Sequence, residues 1–389
     1  MQRTFSALET RIFDVLVIGG GITGAGIARD ASMRGLSVAL VEKARFGSGT
    51  SSKSSRLIHG GIRYLERGEI GLVRESVRER ETLLRIAPGL VVPLEFTWPV
   101  YRGARLPGWK LRIGLTVYDV LAGKRGAQRH RALSAAEVLE REPHLERTGL
   151  LGGASYFDAS TDDLGLTLAT MRSAIENGAV CVEHAFMETV SHTSGRTNGA
   201  VVRDHETGES VQVRARTVVS ATGPWQAKGT KGSHIAVERS RIGNRSAVTL
   251  TAPQDGRVMF VLPSADRAIV GTTDIHTSES PDDVTASEQE VEYLMEAANF
   301  YFPASSIVRS DVLETWSGIR PLAAAPPGAK PSSISREHQI SRDRHGVIIV
   351  TGGKLTTYRS MAAEVVDVVQ RELGVKPQRA PTDEVPLTV

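Results

Sequence analysis

The run Phe13 to Ile18 (FDVLVI) is almost continuously apolar and rich in β-branched residues up to Gly19, the pattern of a buried parallel strand feeding a tight turn. Helix-like sequence occupies Thr23 to Arg34, Gly35 stands where a helix C-cap is expected, and Ser37 to Val41 (SVALV) reads as a second buried strand ending at Glu42. This succession predicts a βαβ unit. Between Glu66 and Ile86 the residues Ile70, Leu72, Val73, Val77, Leu83 and Leu84 recur at helical spacing among Arg and Glu, then stop before Pro88, which predicts a surface helix. A helix over Ala169 to Asn177, followed by Gly178 and a strand through Val180 and Val182, predicts a second crossover. Alternating stretches at Gly199 to Arg203 and Ser210 to Arg214, joined across Thr207-Gly208, predict a hairpin or meander, and Thr217 to Ala221 returns to a buried strand.

The second half mixes sheet and helix. Val258 to Leu262 and Ala268 to Val270 have strand character, Ser287 to Phe302 looks helical, and Pro326, Pro327 and Gly328 mark a surface loop. Gly346 to Val350 is a further buried strand, and Met361 to Leu373 is an amphipathic helix. At 389 residues the chain is too long for one simple core, so two domains interleaved in sequence are expected. No apolar run approaches the length of about 18 residues that spans a bilayer. Met1 to Arg11 lacks the basic start and apolar stretch of a secretory signal, so a cytoplasmic location is expected. The single cysteine, Cys181, excludes an internal disulfide and any cysteine metal cluster, and no H-E-x-x-H or C-x-x-C pair suggests a metal. A net charge of +3, from 47 basic and 44 acidic residues, is too small to imply nucleic acid as a partner.

Chemistry concentrates at the end of the first strand. Gly19-Gly20-Gly21-Ile22-Thr23-Gly24 matches G-x-G-x-x-G between strand and helix, which allows a tight turn, close backbone approach to a pyrophosphate and close helix packing. Glu42, 18 residues after Gly24, ends the second strand where a carboxylate can accept from an adenosine ribose. The motif alone leaves NAD and FAD undistinguished. The next block, Gly49 to Tyr64 (GTSSKSSRLIHGGIRY), is dense in hydroxyls and glycine; a polar linker is the bland reading, opposed by Leu57, Ile58 and Tyr64 at its centre and end.

That block resembles the signature of the FAD-dependent glycerol-3-phosphate dehydrogenase family, within the D-amino-acid-oxidase-like flavoproteins. The likeness continues in order through Ala221 to Trp225 (ATGPW), Lys231 to His234 (KGSH), Gly271 to Asp274 (GTTD), Ser317 to Leu322 (SGIRPL) and Gly352 to Arg359 (GGKLTTYR), covering about residues 12 to 375. The resemblance implies an α/β fold: a Rossmann-like FAD-binding domain from 12–90, 150–226 and 310–375, interleaved with a mixed β-sheet plus helix substrate domain from 91–149 and 227–309. It implies oxidation of glycerol 3-phosphate to dihydroxyacetone phosphate, as in glycerol metabolism, with hydride passing to FAD and electrons on to quinone or another acceptor. An oxidase that returns electrons to oxygen, and a non-catalytic FAD-binding scaffold, are the alternatives.

Carried over position by position, the resemblance implies cofactor contacts from Gly19, Gly21, Ile22, Thr23, Gly24, Glu42, Thr50, Ser51, Ser52, Ser55, Leu57, His59, Gly60, Gly61, Thr222, Gly223, Trp225, Gly353, Lys354, Leu355 and Thr356. It implies substrate contacts from Arg63, Tyr64, Thr273, Arg320 and Lys354, with His234 and Arg320 catalytic. The chemistry agrees, because a phosphate dianion needs cations, arginine grips it bidentately, and a histidine can take the proton of the C2 hydroxyl. A lone arginine is nonetheless more often a surface charge, and a lone histidine a satisfied polar residue; for His59 a structural hydrogen bond is the expected role.

Two departures stand out. Family members usually continue into a helical carboxy-terminal domain, so that cap is expected to be absent from a chain ending at Val389; and only five residues separate Trp225 from Lys231, a short connection that bears on where His234 lies. Between Tyr101 and Arg131 eight Arg or Lys residues face one acid, Asp119, with Trp109 and Tyr118 interleaved. A solvated surface is the plain reading of that patch, and peripheral contact with an anionic membrane the functional one. A homodimer is a further expectation.

Overall fold

The computed structural model describes residues 5–123, 128–226, 229–321 and 337–388. The loop expected at Pro326 to Gly328 lies outside them, as do residues 227 and 228 of the short connection. Elements are numbered in chain order. Among the described residues the strands form two sheets. The first is built on β1 (Phe13–Ile18), β2 (Val38–Val41), β7 (Val180–Val182), β10 (Ser210–Ser220) and β18 (Ile348–Thr351), which run parallel in the order β18-β10-β1-β2-β7. An antiparallel edge strand, β17 (Gln339–Arg342), flanks β18, and β8 (Ala185–Thr193) and β9 (Arg196–Asp204) form the expected meander with β10.

Both faces of this sheet are covered, which is why β1 and β2 read as unbroken apolar runs rather than alternating ones. Val15 and Val17 point toward α1 (Ile22–Met33), α5 (Asp163–Glu176) and α8 (Tyr358–Glu372), packing with Ala28, Met171 and Val365. Leu16 and Ile18 point the other way, to Val202 and Val213 of the meander. The α5 helix begins at Asp163 rather than at Ala169, because the Asp162 side chain accepts from the Gly165 N–H and so caps an earlier first turn.

The second sheet follows the order β15-β11-β14-β13-β12-β4-β6-β3: β15 (Ile275–His276), β11 (Gly229–Glu238), β14 (Arg267–Gly271), β13 (Val258–Ser264), β12 (Ala247–Thr251), β4 (Val91–Tyr101), β6 (Leu150–Thr161) and β3 (Leu57–Ile58). Off this path β16 (Val312–Pro321) pairs with β11, and β5 (Arg131–Ser134) with β6. Sequence boundaries at 150 and 310 group β6 and β16 with the cofactor domain, whereas their long antiparallel ladders with β4 and β11 place them in this second sheet.

Alternation along the strands serves two layers here. Val261 and Val270 face a core with α4 (Ala135–Arg141), the short α6 (Arg239–Ile242) and α7 (Glu288–Tyr301), the last started by a Ser287/Glu290 capping box. Phe260, Leu262 and Ile269 face α2 (Ile70–Ile86) and α3 (Gly108–Ala122). No helix among the described residues is long and apolar enough to cross a membrane.

Candidate functional site

A cavity of about 1070 Å³ opens where the carboxyl ends of β1, β2 and β10 meet the edge of the second sheet formed by β11 and β16. This is the crevice position at which open α/β sheets bind ligands, and the volume lies at the large end of small-molecule sites. At its first end the chain leaves β1 through Gly19, whose φ of +110° and close contact with Ala221 O leave no room for a side chain. A Cβ at Gly24 would lie 1.9 Å from Gly19 O, so this glycine sets the close approach of α1 to the turn rather than touching the cavity.

The N-terminus of α1 faces the cavity at Ile22 and Thr23, and the Ile22 N–H donates to Ser51 Oγ at 2.9 Å. Unpaired first-turn N–H groups with the helix dipole behind them favour an anion there. Glu42 accepts from Gly20 N–H (2.7 Å) through one oxygen and from Ala44 N–H (2.9 Å) through the other. It therefore holds the turn, while each carboxylate oxygen keeps acceptor capacity for a ribose hydroxyl. Thr50, Ser55, Leu57, His59, Thr222, Gly223, Trp225 and Gly353 to Thr356 line the same cavity. A glycine turn at a helix N-terminus, an acid at the end of β2 and a long cavity fit FAD in the manner expected.

The second end is cationic. Arg63, Tyr64, Arg320 and Lys354 all line it, as expected, together with Arg257, Thr272 and Asp274, which sequence spacing did not single out as site residues. Arg320 Nη1 lies 3.2 Å from Asp274 Oδ1, and its Nη2 donates to Thr272 Oγ1 (2.7 Å) and Thr273 O (3.1 Å). A Cβ at Gly232 would sit 2.0 Å from Arg320 Nη2, so the glycine of the KGSH block makes space for the guanidinium. Arg257 lies on the other side of Asp274, Nη1 to Oδ2 at 3.5 Å, and is also within 3.3 Å of Asp255. One carboxylate thus separates two arginines. Arg257 is a lone cation before β13, and nothing in its spacing signals the site. Lys354 Nζ sits 4.7 Å above the Tyr64 ring and donates to Ser76 Oγ.

His234 lines the cavity from β11, its ring stacked nearly parallel to that of Trp316 with centroids 5.1 Å apart, and its Nε2 2.8 Å from Ser55 Oγ. Nδ1 is buried with no partner among the described residues. Burial pushes its pKa down to about 3, with the Arg320 and Arg56 charges adding to the effect. His59 is pushed down to about 4 by burial, against the upward pull of Asp158, with the Lys354, Arg63 and Arg80 charges acting in the same direction as burial. Both imidazoles are neutral at pH 7. The hydrogen bonds that tie His59 to Thr356 run through its backbone: His59 N–H donates to Thr356 Oγ1 (3.1 Å), which donates to His59 O (3.2 Å).

Five expected residues do not line the cavity. Gly24, Gly60 and Gly61 shape turns beside it, and Ser52 faces a separate cavity of about 580 Å³ with Arg56. Thr273 is buried elsewhere: its hydroxyl accepts from Ser233 N–H (2.9 Å) and donates to Glu290 (2.8 Å), in a network that includes the Lys231–Glu290 ion pair at 2.9 Å. Its carbonyl, not its hydroxyl, reaches Arg320. The swap occurs in the loop between β14 and β15, where Thr272 takes the cavity side and Thr273 turns to Glu290.

Comparison with known proteins places this geometry. Residues 14–365 match the model of the family described as FAD dependent oxidoreductase (DAO). An aerobic glycerol-3-phosphate dehydrogenase of Staphylococcus saprophyticus is 39% identical over 94% of this chain and 68% of its own length. A protein of the same name from Staphylococcus aureus is 38% identical over 93% of this chain and 67% of its own length. A glycerol-3-phosphate dehydrogenase from Bacillus halodurans, solved with FAD, superposes with a TM-score of 0.79 at 31% identity, over 97% of this chain and 68% of that one. An L-α-glycerophosphate oxidase from Mycoplasma pneumoniae reaches a TM-score of 0.71 at 18% identity, over 98% of this chain and all of that one, a likeness of fold.

Proposed function

The chain belongs to the FAD-dependent oxidoreductase family, with aerobic glycerol-3-phosphate dehydrogenases among its relatives, and from that premise we propose that it oxidises sn-glycerol 3-phosphate to dihydroxyacetone phosphate. The observation that carries this reading is a single cavity joining a dinucleotide cradle at Gly19 to Thr23 with a cationic end formed by Arg63, Arg257, Arg320 and Lys354. FAD, when bound, supplies the two-electron acceptor for the hydride leaving C2. Gly19, Gly21, Ile22 and Ser51 would hold its pyrophosphate, Glu42 its ribose, and Thr222, Gly223 and Gly353 to Thr356 would line the remainder of its site.

Arg320, braced by Asp274 and Thr272, presents a fixed guanidinium edge to the substrate phosphate, and Arg63, Arg257 and Lys354 add charge around it. His234 takes the C2 hydroxyl proton. Its depressed pKa keeps it unprotonated, and arrival of the phosphate dianion beside Arg320 offsets one of the charges that depress it, so its basicity rises in the complex. Purified protein should turn over glycerol 3-phosphate with an artificial electron-accepting dye, while glycerol, lacking the phosphate, loses on the order of a hundredfold or more in kcat/KM. Equal turnover of both would contradict the reading, and stoichiometric peroxide would assign it to the oxidase alternative.

The electrons pass on to quinone or another acceptor, with the chain resting against a membrane through α3. Trp109, Ile113, Val117 and Val120 of that helix are exposed at the spacing of a single face, 62%, 57%, 36% and 73% respectively, and Lys110 and Arg112 lie beside them. Lys124 and Arg125 of the basic patch lie outside the described residues.

A further inference from the structure

Three elements and a turn meet on one carboxylate oxygen behind the wall of the cavity. Asp158 Oδ1, on β6, accepts from Arg80 Nη1 of α2 at 2.6 Å, from the Tyr118 hydroxyl of α3 at 2.6 Å and from the Gly60 N–H at 3.1 Å. The same Gly60 N–H points at the Tyr118 oxygen, 2.8 Å away. Arg80 also donates to Phe157 O at 2.9 Å and sits 5.6 Å from the centre of the Tyr118 ring. All three residues are 5% exposed or less, and none lines the cavity. Burial raises the Tyr118 pKa far above its ordinary value, so the phenol stays protonated and donates to Asp158.

What this cluster holds is a turn. A Cβ at Gly60 would lie 2.3 Å from the Tyr118 oxygen, so the backbone is seated directly against the phenol. Gly61 follows with φ +74° and a 3₁₀ turn spans Ile62–Arg67, and this reversal brings Arg63 and Tyr64 to the cavity wall, with His59 on the other side of the turn. Across from it, Thr356 clamps His59 through its backbone. We propose that Tyr118, with Asp158 and Arg80, is a positioning residue: its hydroxyl fixes the Gly60-Gly61 turn and thereby sets Arg63 and Tyr64 for the substrate. This rests on the reading of the cationic end as the substrate site. It also gives the inward face of α3 a duty distinct from its exposed face.

Tyr118→Phe keeps the ring edge-on to Tyr156 (centroids 6.4 Å apart) and removes only the hydroxyl. Amide exchange in a peptide spanning 58–67 should rise about tenfold in both FAD-loaded and FAD-free protein, and KM for glycerol 3-phosphate should rise by a similar factor while kcat changes less, as expected for one lost hydrogen bond. Arg80→Lys keeps a charge beside Asp158 but loses the contact to Phe157 O, and should loosen the same peptide to a smaller degree. A lowered melting temperature with wild-type exchange at 58–67 and wild-type KM overturns the proposal, as does an increase in exchange spread uniformly over the chain in both variants. If the wild-type protein fails to oxidise glycerol 3-phosphate, the catalytic reading falls, and the exchange experiment still decides the positioning role.

Discussion

Arg320 is not a loose surface cation but a side chain braced on one edge by Asp274 and Thr272, and that bracing is what makes its geometry matter. Arg320→Lys keeps the charge and loses the planar fork, so KM for glycerol 3-phosphate should rise about 10- to 100-fold with FAD content unchanged; a KM equal to that of the parent would show the charge alone suffices. The two buried histidines make a second prediction. Their folded pKa values, about 3 for His234 and about 4 for His59, lie below the ordinary 6.5. Between those limits the unfolded chain binds protons that the folded chain refuses, so their contribution to stability is fully present above pH 6.5 and is lost as pH falls toward 4 and then 3. The melting temperature should therefore drop with acidification from pH 6.5, and His234→Gln should flatten that slope; parallel slopes for the two proteins would refute the account. Of these residues the resemblance pointed to Arg320 and His234 through the blocks around them, whereas Arg257 had no periodic or motif context and emerges only when the fold brings it and Arg320 to the same Asp274 carboxylate.

Elements with one dominant constraint were legible in the sequence. The unit β1-α1-β2 announced itself because burial on both faces, the glycine turn and Glu42 all agree over 30 residues, Phe13–Glu42. Adding a methyl there should be severe: Gly24→Ala puts a carbon 1.9 Å from Gly19 O, and the protein should purify colourless, with flavin absorbance as the readout. Long strands of the second sheet were not legible, since β4 carries Pro93 and Pro99 and β6 carries Gly152 and Gly153, residues that argue locally against a strand and are accommodated by cross-strand pairing. The α3 helix was seen only as a charge cluster. Its amphipathic split predicts that Trp109→Ala combined with Lys110→Glu and Arg112→Glu weakens binding to anionic vesicles in cosedimentation by about thirtyfold or more, from lost apolar contact and about 1 kcal/mol per cation removed. Unaltered cosedimentation would leave that face a solvated surface.

At the scale of the molecule, the site exists only where the two sheets meet. The first sheet supplies the glycine turn, Glu42 and Lys354, and the second supplies His234 and Arg320 on the paired strands β11 and β16, with Arg257 just before β13. Sequence order scatters these groups from Gly19 to Thr356, so ordered motifs and a family resemblance could name most of them, but not which hydroxyl of Thr272-Thr273 faces inward or which arginines share a carboxylate. Those follow from the loop that joins β14 to β15 and from the pairing of the strands around it, which are properties of the assembled fold. The central claim is that one cavity places the substrate's phosphate on Arg320 and its C2 hydrogen at the flavin. Anaerobic mixing of the FAD-loaded protein with glycerol 3-phosphate tests it most directly: the flavin absorbance should bleach rapidly, and Arg320→Ala should keep its flavin yet fail to bleach. Flavin that stays oxidised with glycerol 3-phosphate, while dithionite still bleaches it, would contradict the account.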